Sequence, residues 1–220
     1  IVPPEAKDLV VAGAMISNYR NAGQTCVCAN RFYVQAGIYD AFAEKLALAS
    51  QALKVGPGLD DGVTQGPLIN AAAVAKGEEL IADATSKGAK AVLGGGRHQL
   101  GGTFFQPTVL TGVTPEMRVA KEEIFGPVAP LFRFETEEQA ARMANDTEYG
   151  LAAYLYTRDL GRAWRMSEAL EYGMVGVNEG VFSTEVAPFG GMKESGIGRE
   201  GSKYGVDEYV EIKYVCFGVG

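Results

Sequence analysis

Short apolar strands alternate with amphipathic helices along this chain, and the alternation restricts its possible folds more than any other feature. Apolar residues at three- and four-residue spacing predict helices over 5–21, 39–53, 70–87, 137–145 and 159–170. Short apolar runs predict strands over 31–35, 89–93, 107–113, 152–156 and 174–177. Strands separated by helices in this way are typical of an α/β fold, in which a largely parallel sheet is flanked by helices.

The end of the chain departs from this pattern. Residues 204–217 follow a glycine-rich stretch and end in a predicted strand with charged residues on one face. A terminal strand with open hydrogen-bonding edges often pairs with a strand of another subunit. We therefore predict a main domain at 1–203 and a C-terminal oligomerisation segment at 204–220, whose strand 208–217 pairs in a homo-oligomer.

The charge balance and the cysteine count argue against several classes of protein. The 220 residues include 27 acidic and 20 basic side chains, and the net charge of −7 makes nucleic acid an unfavourable partner. The longest apolar run is far shorter than the roughly 20 residues of a membrane-spanning helix, so we expect no membrane partner. Three cysteines are too few for a disulfide framework and fit a reducing compartment, which predicts a cytoplasmic protein.

The strongest candidate for chemistry is the segment N-A-G-Q-T-C-V-C-A-N-R at 21–31. Cys26 follows a Gly-Gln turn between a predicted helix and a predicted strand, and Cys28 lies two residues further on. A thiol that rigid elements hold at such a junction can act as a nucleophile. The spacing alone fits two small buried residues equally well, because free cysteine is often buried.

Three further features of the sequence bear on ligand binding. The segment E-E-I-F-G-P at 122–127 is either an exposed acidic helix end or a carboxylate that binds a ligand hydroxyl while Phe125 packs on a flat ring. The G-x-G-x-x-G match at 196–201 lacks the preceding strand of a dinucleotide fingerprint, so we do not interpret it as a phosphate loop. With one histidine, His98, and only a C-x-C pair, the sequence predicts no metal site.

Four motifs, occurring in the family's order, resemble the aldehyde dehydrogenase superfamily and together cover nearly the whole chain. They are G-Q-T-C at 23–26, E-E-I-F-G-P-V at 122–128, N-D-T-E-Y-G-L at 145–151 and P-F-G-G-M-K-E-S-G-I-G-R-E at 188–200. The segment 21–31 and the ending 199–216 are similar to the succinate-semialdehyde dehydrogenase branch in particular. The resemblance implies that 1–203 is a catalytic domain.

The resemblance also implies roles for individual residues. Cys26 would be the nucleophile that attacks an aldehyde and carries a thioester, with its own backbone N–H stabilising the oxyanion. Glu123 would hold the nicotinamide ribose of NAD or NADP, with Phe125 beside it. Arg20 would bind the far carboxylate of a semialdehyde, with Ser183 as a hydroxyl partner.

Cys28 corresponds to the branch's second cysteine, and a reversible disulfide with Cys26 would block the nucleophile. Cysteines this close need a strained loop to pair, so simple packing of Cys28 stays open. Glutarate semialdehyde or another aldehyde is a rival substrate. A redox-sensing or assembly module and a weak thiol esterase are rival functions.

A complete member of this family is much longer than the chain. The resemblance implies that the dinucleotide-binding domain, the glutamate that activates water and the asparagine of the oxyanion hole all precede residue 1. We therefore expect a catalytic-domain fragment whose missing N-terminal cofactor domain is its natural partner. Such a fragment would lack turnover by itself, and its sequence does not decide between NAD and NADP.

Overall fold

The computed structural model describes residues 1–3 and 7–220. Within them, five helices, α1 to α5, cover Lys7–Tyr19, Tyr39–Gln51, Ala71–Ser86, Glu137–Asn145 and Leu160–Ala169. Eight strands, β1 to β8, cover Phe32–Gln35, Lys90–Leu93, Thr108–Thr111, Val128–Phe134, Tyr149–Gly150, Ala152–Leu155, Met174–Val177 and Met192–Lys193. Short 3-10 helices cover Arg20–Gly23, Ala36–Ile38, Arg118–Ala120 and Tyr204–Tyr209. The five predicted helices and five predicted strands are confirmed, except that residues 5 and 6 lie outside the described part of the chain.

Side-chain caps explain where three of the helices begin. Asn70, Thr136 and Asp159 each accept a hydrogen bond from the backbone N–H three residues later, at 2.9, 3.3 and 2.9 Å respectively. Each cap satisfies one of the N–H groups that the first turn of a helix leaves free, which stabilises the helix by about 1 kcal/mol. In the described part of the chain, no helix combines the length and apolar composition that crossing a bilayer requires.

The main strands form one largely parallel arrangement. Four of them follow the order β1-β4-β3-β2, in which only the β2–β3 pair is antiparallel. Strands β6 and β7 form a parallel pair. Residues 1 and 2 lie between these two groups, since Val2 bridges Val34 of β1 and the N–H of Tyr156 donates to the carbonyl of Ile1 at 3.2 Å. The predicted α/β architecture is therefore confirmed, with one antiparallel edge strand.

The sheet is buried on both faces, as parallel sheets usually are. One apolar cluster joins α1 and α2 to the side of the sheet that carries Phe32, Val34 and Leu131. The other joins α3 and α4 to the side that carries Tyr33 and Phe132. Because successive residues of a strand point to opposite faces, β1 and β4 contribute side chains to both clusters. Strands β1 and β4 are thereby fixed in position, and with them the loops that precede them.

The longest strand, β4, was missed by the sequence analysis. Its sequence is V-A-P-L-F-R-F, and six of its seven residues are buried. A proline normally argues against a central strand because it cannot donate to the ladder. Here Pro130 is paired in register with Leu110 of β3, and β1 lies on the other side. The strand therefore carries its proline at a buried position between two neighbouring strands.

The start of the predicted C-terminal strand is also corrected by the structure. Residues 204–209 form a 3-10 helix, and no strand is assigned over 210–220. The carboxylate of Glu208 accepts a hydrogen bond from the backbone N–H of Arg199 at 3.1 Å, and the N–H of Gly205 donates to Gly201 at 2.9 Å. These contacts fold residues 204–209 back onto the glycine-rich segment before them. The pairing expected of 208–217 stays a prediction.

Candidate active site

Residues 20–31 connect α1 to β1 and carry both Cys26 and Cys28; we call them the cysteine loop. The chain reverses immediately after α1 through three consecutive residues with left-handed backbone, at φ 52° for Asn21, 56° for Ala22 and 75° for Gly23. A short turn then follows, in which the N–H of Cys28 donates to Thr25 at 2.9 Å. The left-handed region is unfavourable for residues other than glycine, so the surrounding contacts must hold this geometry.

The cysteine loop lies directly against residues 121–127, which we call the acidic loop. A Cβ atom added to Gly23 would lie 2.1 Å from the carbonyl oxygen of Gly126, a distance that no real side chain tolerates. Both loops precede strands that are parallel neighbours, β1 and β4, and therefore enter the sheet at the same edge. The sheet thus brings together two segments that are about a hundred residues apart in the chain.

Three polar side chains tie the cysteine loop to three different parts of the molecule. Gln24 accepts from the N–H of Ile69 at 2.8 Å, and its amide nitrogen lies 3.4 Å from the carbonyl of Pro67. Asn30 accepts from Ile124 at 2.8 Å and donates to Glu122 at 3.1 Å. The hydroxyl of Tyr154 on β6 donates to the carbonyl of Val27 at 2.8 Å. The roles of Gln24, Asn30 and Tyr154 could not be predicted, because the sequence around each residue does not indicate its distant partner.

Arg31 secures the far end of the loop. Its guanidinium donates to the carbonyl oxygens of Met143 and Asp146 at 3.3 Å and of Ala144 at 3.0 Å, all at the carboxyl end of α4. It also donates to the hydroxyl of Tyr172 at 3.0 Å. A cation at this position satisfies free carbonyl groups and complements the helix dipole. The point at which the cysteine loop enters β1 is therefore fixed to a neighbouring helix.

Cys26 is exposed and lines a cavity of about 400 Å³. Cys28 and Glu123 line the same cavity, so these three predicted site residues lie around one space, while their roles stay predictions. Aromatic residues form much of the remaining wall, including Tyr33, Tyr149, Tyr154 and Tyr172. A thiol and a carboxylate in the lining of one cavity suit a ligand that contacts both groups.

The two glutamates of the acidic loop have different surroundings. Glu122 is paired with Arg118, whose Nε lies 2.6 Å from its carboxylate and keeps the pKa of Glu122 below its usual range. Glu123 is exposed and also lines a second, small cavity together with Cys28 and Phe125. Phe125 has left-handed backbone at φ 52°, and its ring is 40% exposed. Of the two glutamates, Glu123 lines the cavity that Cys26 also lines, and Glu122 does not.

Cys28 differs from Cys26 in its environment. It is half-buried, and burial raises the pKa of its thiol, an effect that hydrogen bonding to Thr25 and the charge of Arg20 partly oppose. Its Sγ lies 3.7 Å from the carbonyl oxygen of Arg20, the distance of a weak thiol hydrogen bond. A protonated thiol is the form that can donate this bond.

Neither Arg20 nor Ser183 lines the 400 Å³ cavity. Arg20 is half-buried, and its charge acts on both Cys28 and Tyr154. Ser183 is exposed and follows Phe182, whose ring packs 5.0 Å from that of Tyr154. Arg20 therefore acts on residues of the cavity wall, and the neighbour of Ser183 contacts one of them; the substrate-binding roles of both residues stay predictions. Among the described residues, no group of histidine, cysteine and acidic side chains could hold a metal ion.

The sequence of this chain matches known proteins over most of its length. A sequence model described as "Aldehyde dehydrogenase family" matches residues 1–215. The 3-sulfolactaldehyde dehydrogenase of Pseudomonas putida is 63% identical over 211 residues, which are 96% of this chain and 43% of that protein. The NADP(+) succinate-semialdehyde dehydrogenase of Escherichia coli (strain K12) is 63% identical over 212 residues, 96% of this chain and 44% of that protein.

Solved structures give the same result. The crystal structure of succinate-semialdehyde dehydrogenase from Burkholderia pseudomallei is 64% identical and superposes with a TM-score of 0.96, covering 100% of this chain and 46% of that one. The chain therefore spans less than half the length of the proteins it matches.

Proposed function

The chain belongs to the aldehyde dehydrogenase family, and on that premise we propose that it is the catalytic domain of an NAD(P)-dependent, succinate-semialdehyde dehydrogenase-like enzyme. The observation that carries this proposal is the shared cavity, in which the exposed thiol of Cys26 and the carboxylate of Glu123 lie together. The matched relatives are named as dehydrogenases of aldehydes, and the cavity contains residues suited to that reaction.

The side chains around the cavity fit a nicotinamide dinucleotide. Glu122 is engaged by Arg118, whereas the exposed carboxylate of Glu123 can accept hydrogen bonds from ribose hydroxyls. The partly exposed ring of Phe125 offers a flat face to a second ring. The chemistry that such a dinucleotide supplies when bound is the acceptance of a hydride from the aldehyde carbon.

Cys26 would perform the covalent steps. Its thiolate sulfur bonds to the aldehyde carbon while the carbonyl π electrons move to oxygen. Among the described residues, the backbone N–H of Cys26 has no hydrogen-bond acceptor, so it can donate to that oxygen. Loss of hydride from the carbon leaves a thioester on Cys26. Water then adds to the thioester, the C–S bond breaks, and the carboxylate product leaves as the thiolate is restored.

The proposed substrate carries an anionic group at the end opposite the aldehyde. Succinate semialdehyde ends in a carboxylate and 3-sulfolactaldehyde in a sulfonate, and both names belong to relatives at 63% identity. A guanidinium such as that of Arg20 binds either group through paired hydrogen bonds, and a hydroxyl such as that of Ser183 can add one more. Glutarate semialdehyde, with one more methylene, is the rival substrate, because an arginine alone does not measure chain length.

We propose in addition that the 220 residues do not turn over alone. They span less than half the length of their relatives, and the water-activating base and most of the dinucleotide site would come from the other half.

Cys28 would act as a redox partner of Cys26. Peroxide would oxidise the Cys26 thiolate to a sulfenic acid, and the Cys28 thiol would displace water from it to form a disulfide. The accessibility of Cys26 and the position of both cysteines on the wall of one cavity favour this redox role. Its measurable consequence is a loss of thiol labelling at both cysteines that a reducing agent reverses.

The experiment that tests the function is NAD(P)H formation by the full-length enzyme that contains this chain, with succinate semialdehyde, glutarate semialdehyde and butanal as substrates. Because a charged pair of hydrogen bonds contributes a few kcal/mol, we expect kcat/KM for a semialdehyde to exceed that for butanal by about a hundredfold. The isolated 220-residue chain should give no sustained NAD(P)H. Equal rates with butanal would contradict the proposed substrate class. Turnover by the isolated chain would contradict the proposal that these 220 residues are inactive alone.

A further inference from the structure

Asn30 joins the cysteine loop to the acidic loop through two directional hydrogen bonds. Its side-chain amide donates to the carbonyl of Glu122 at 3.1 Å and accepts from the N–H of Ile124 at 2.8 Å. These two backbone groups flank Glu123 on either side. We propose that Asn30 is a positioning residue, which sets the carboxylate of Glu123 at a fixed place relative to the Cys26 thiol; this inference rests on the proposed function.

The hydrogen bonds of Asn30 fix the relative position of the two loops, which their steric contact alone does not. The close approach of Gly23 to Gly126 brings the two backbones together, but a steric contact does not fix how one slides past the other. Hydrogen bonds are directional, and a donor and acceptor pair two residues apart defines both position and orientation. The amide of Asn30 makes the same pair of bonds that a strand would make with the acidic loop.

The two residues on either side of Glu123 are themselves held in place. The side chain of Glu122 is held by Arg118 through two hydrogen bonds, at 2.6 and 3.0 Å. Ile124 is 4% exposed, so its side chain is packed in the core. With both neighbours of Glu123 fixed through side chain and backbone, its carboxylate has little freedom except at its own torsions. Asn30 therefore pre-organises the group that is proposed to bind the dinucleotide ribose.

Loss of these bonds should weaken dinucleotide binding selectively. In Asn30→Ala, two backbone groups lose their partner and the acidic loop can shift relative to Cys26. Two neutral hydrogen bonds correspond to about a tenfold effect, so we expect Kd for NADPH to rise about tenfold. The rate at which iodoacetamide alkylates Cys26 should change less than twofold, because Tyr154 and Gln24 still hold the cysteine loop.

The chain contains a matched control. Asn145 makes the same pattern of bonds at a different place, donating to the carbonyl of Ala169 at 2.7 Å and accepting from the N–H of Glu171 at 2.9 Å. Both asparagines are half-buried. Asn145→Ala should therefore lose a similar amount of stability as Asn30→Ala while leaving the Kd for NADPH unchanged. Asn30→Asp, which keeps the acceptor for Ile124 and loses the donor to Glu122, is the second variant and should give an intermediate Kd.

The test uses the full-length enzyme, with Kd measured by titrating NADPH fluorescence and with no aldehyde present. A selective rise in Kd for Asn30→Ala and Asn30→Asp, absent in Asn145→Ala, supports the proposal. An unchanged Kd in both Asn30 variants, an equal rise in Asn145→Ala, or a wild type that binds neither NADPH nor NADH overturns it; where only NADH binds, the same comparison of Kd is made with NADH. Failure of the proposed function would appear separately, as NADPH binding without aldehyde oxidation.

Discussion

At the scale of single residues, two cysteines two positions apart have separate chemical characters. Cys26 is exposed at the cavity, whereas Cys28 is half-buried and lies close to the carbonyl oxygen of Arg20. Burial raises the pKa of the Cys28 thiol, which lowers the fraction of thiolate, the reactive form, at neutral pH. The local sequence gave equal support to a nucleophile and to two packed thiols, and only the loop geometry separates one cysteine from the other.

We therefore expect iodoacetamide at neutral pH to label Cys26 at least about tenfold faster than Cys28, since only the thiolate reacts. A thiol whose pKa is raised has less thiolate at any pH below that pKa, so labelling of Cys28 should increase only as pH rises above the ordinary thiol range. Peptide mass spectrometry at several pH values measures both rates. Treatment with peroxide should protect both loop cysteines until dithiothreitol is added. Labelling of Cys28 as fast as that of Cys26 at neutral pH would contradict this assignment.

At the scale of elements, the site exists because β1 and β4 are parallel neighbours and the two loops precede them. The sequence predicted β1 but not β4, so the meeting of Cys26 with Glu123 could be expected only from the resemblance. Two features hide β4 in the sequence. It contains a proline, and because it is buried on both faces it lacks the alternation of apolar and polar residues that identifies half-exposed strands. The amphipathic helices could be located because their pattern is local. The bonds made by Asn30 and Tyr154 span 92 to 127 residues and leave no local signal.

Gly23 should be intolerant of any side chain, because its backbone is left-handed at φ 75° and a Cβ would meet Gly126. Gly62 is a matched control, with φ 74° and only the flexible end of Lys54 nearby, at 3.9 Å. We expect Gly62→Ala to lower the free energy of unfolding by about 1 kcal/mol, the cost of left-handed backbone alone. Gly23→Ala should lower it by at least about 3 kcal/mol, because the two loops must also separate. Urea denaturation measures both, and equal losses would show that the loops do not depend on this contact.

At the scale of the whole molecule, the α/β architecture follows from the order of strands and helices, and the superposition on a solved relative agrees with it. The assembly mode does not follow in the same way. Residues 210–220 expose apolar side chains, including Ile212 at 100% and Phe217 at 86%. Contiguous exposed apolar surface is typical of an interface between chains. Pairing of the segment 208–217 with a second subunit, like the cytoplasmic location, stays a prediction.

If that segment mediates assembly, charges placed within it should separate the subunits of the full-length enzyme. The double substitution Ile212→Asp and Phe217→Asp should lower the sedimentation coefficient in analytical ultracentrifugation, because it places carboxylates in an apolar contact. Leu59→Asp alters another fully exposed apolar side chain in the loop between α2 and α3 and should have no effect. An oligomer that withstands the double substitution would place the interface elsewhere.

The most direct test of the central claim, that Cys26 is the nucleophile of a semialdehyde dehydrogenase, is succinate-semialdehyde-dependent NAD(P)H formation by full-length Cys26→Ser. Because a hydroxyl is a far weaker nucleophile than a thiolate, we expect the rate to fall by about a thousandfold or more. Cys216→Ser, which alters an exposed cysteine outside the cavity, should retain the wild-type rate. A Cys26→Ser enzyme that oxidises the semialdehyde at the wild-type rate would contradict the account.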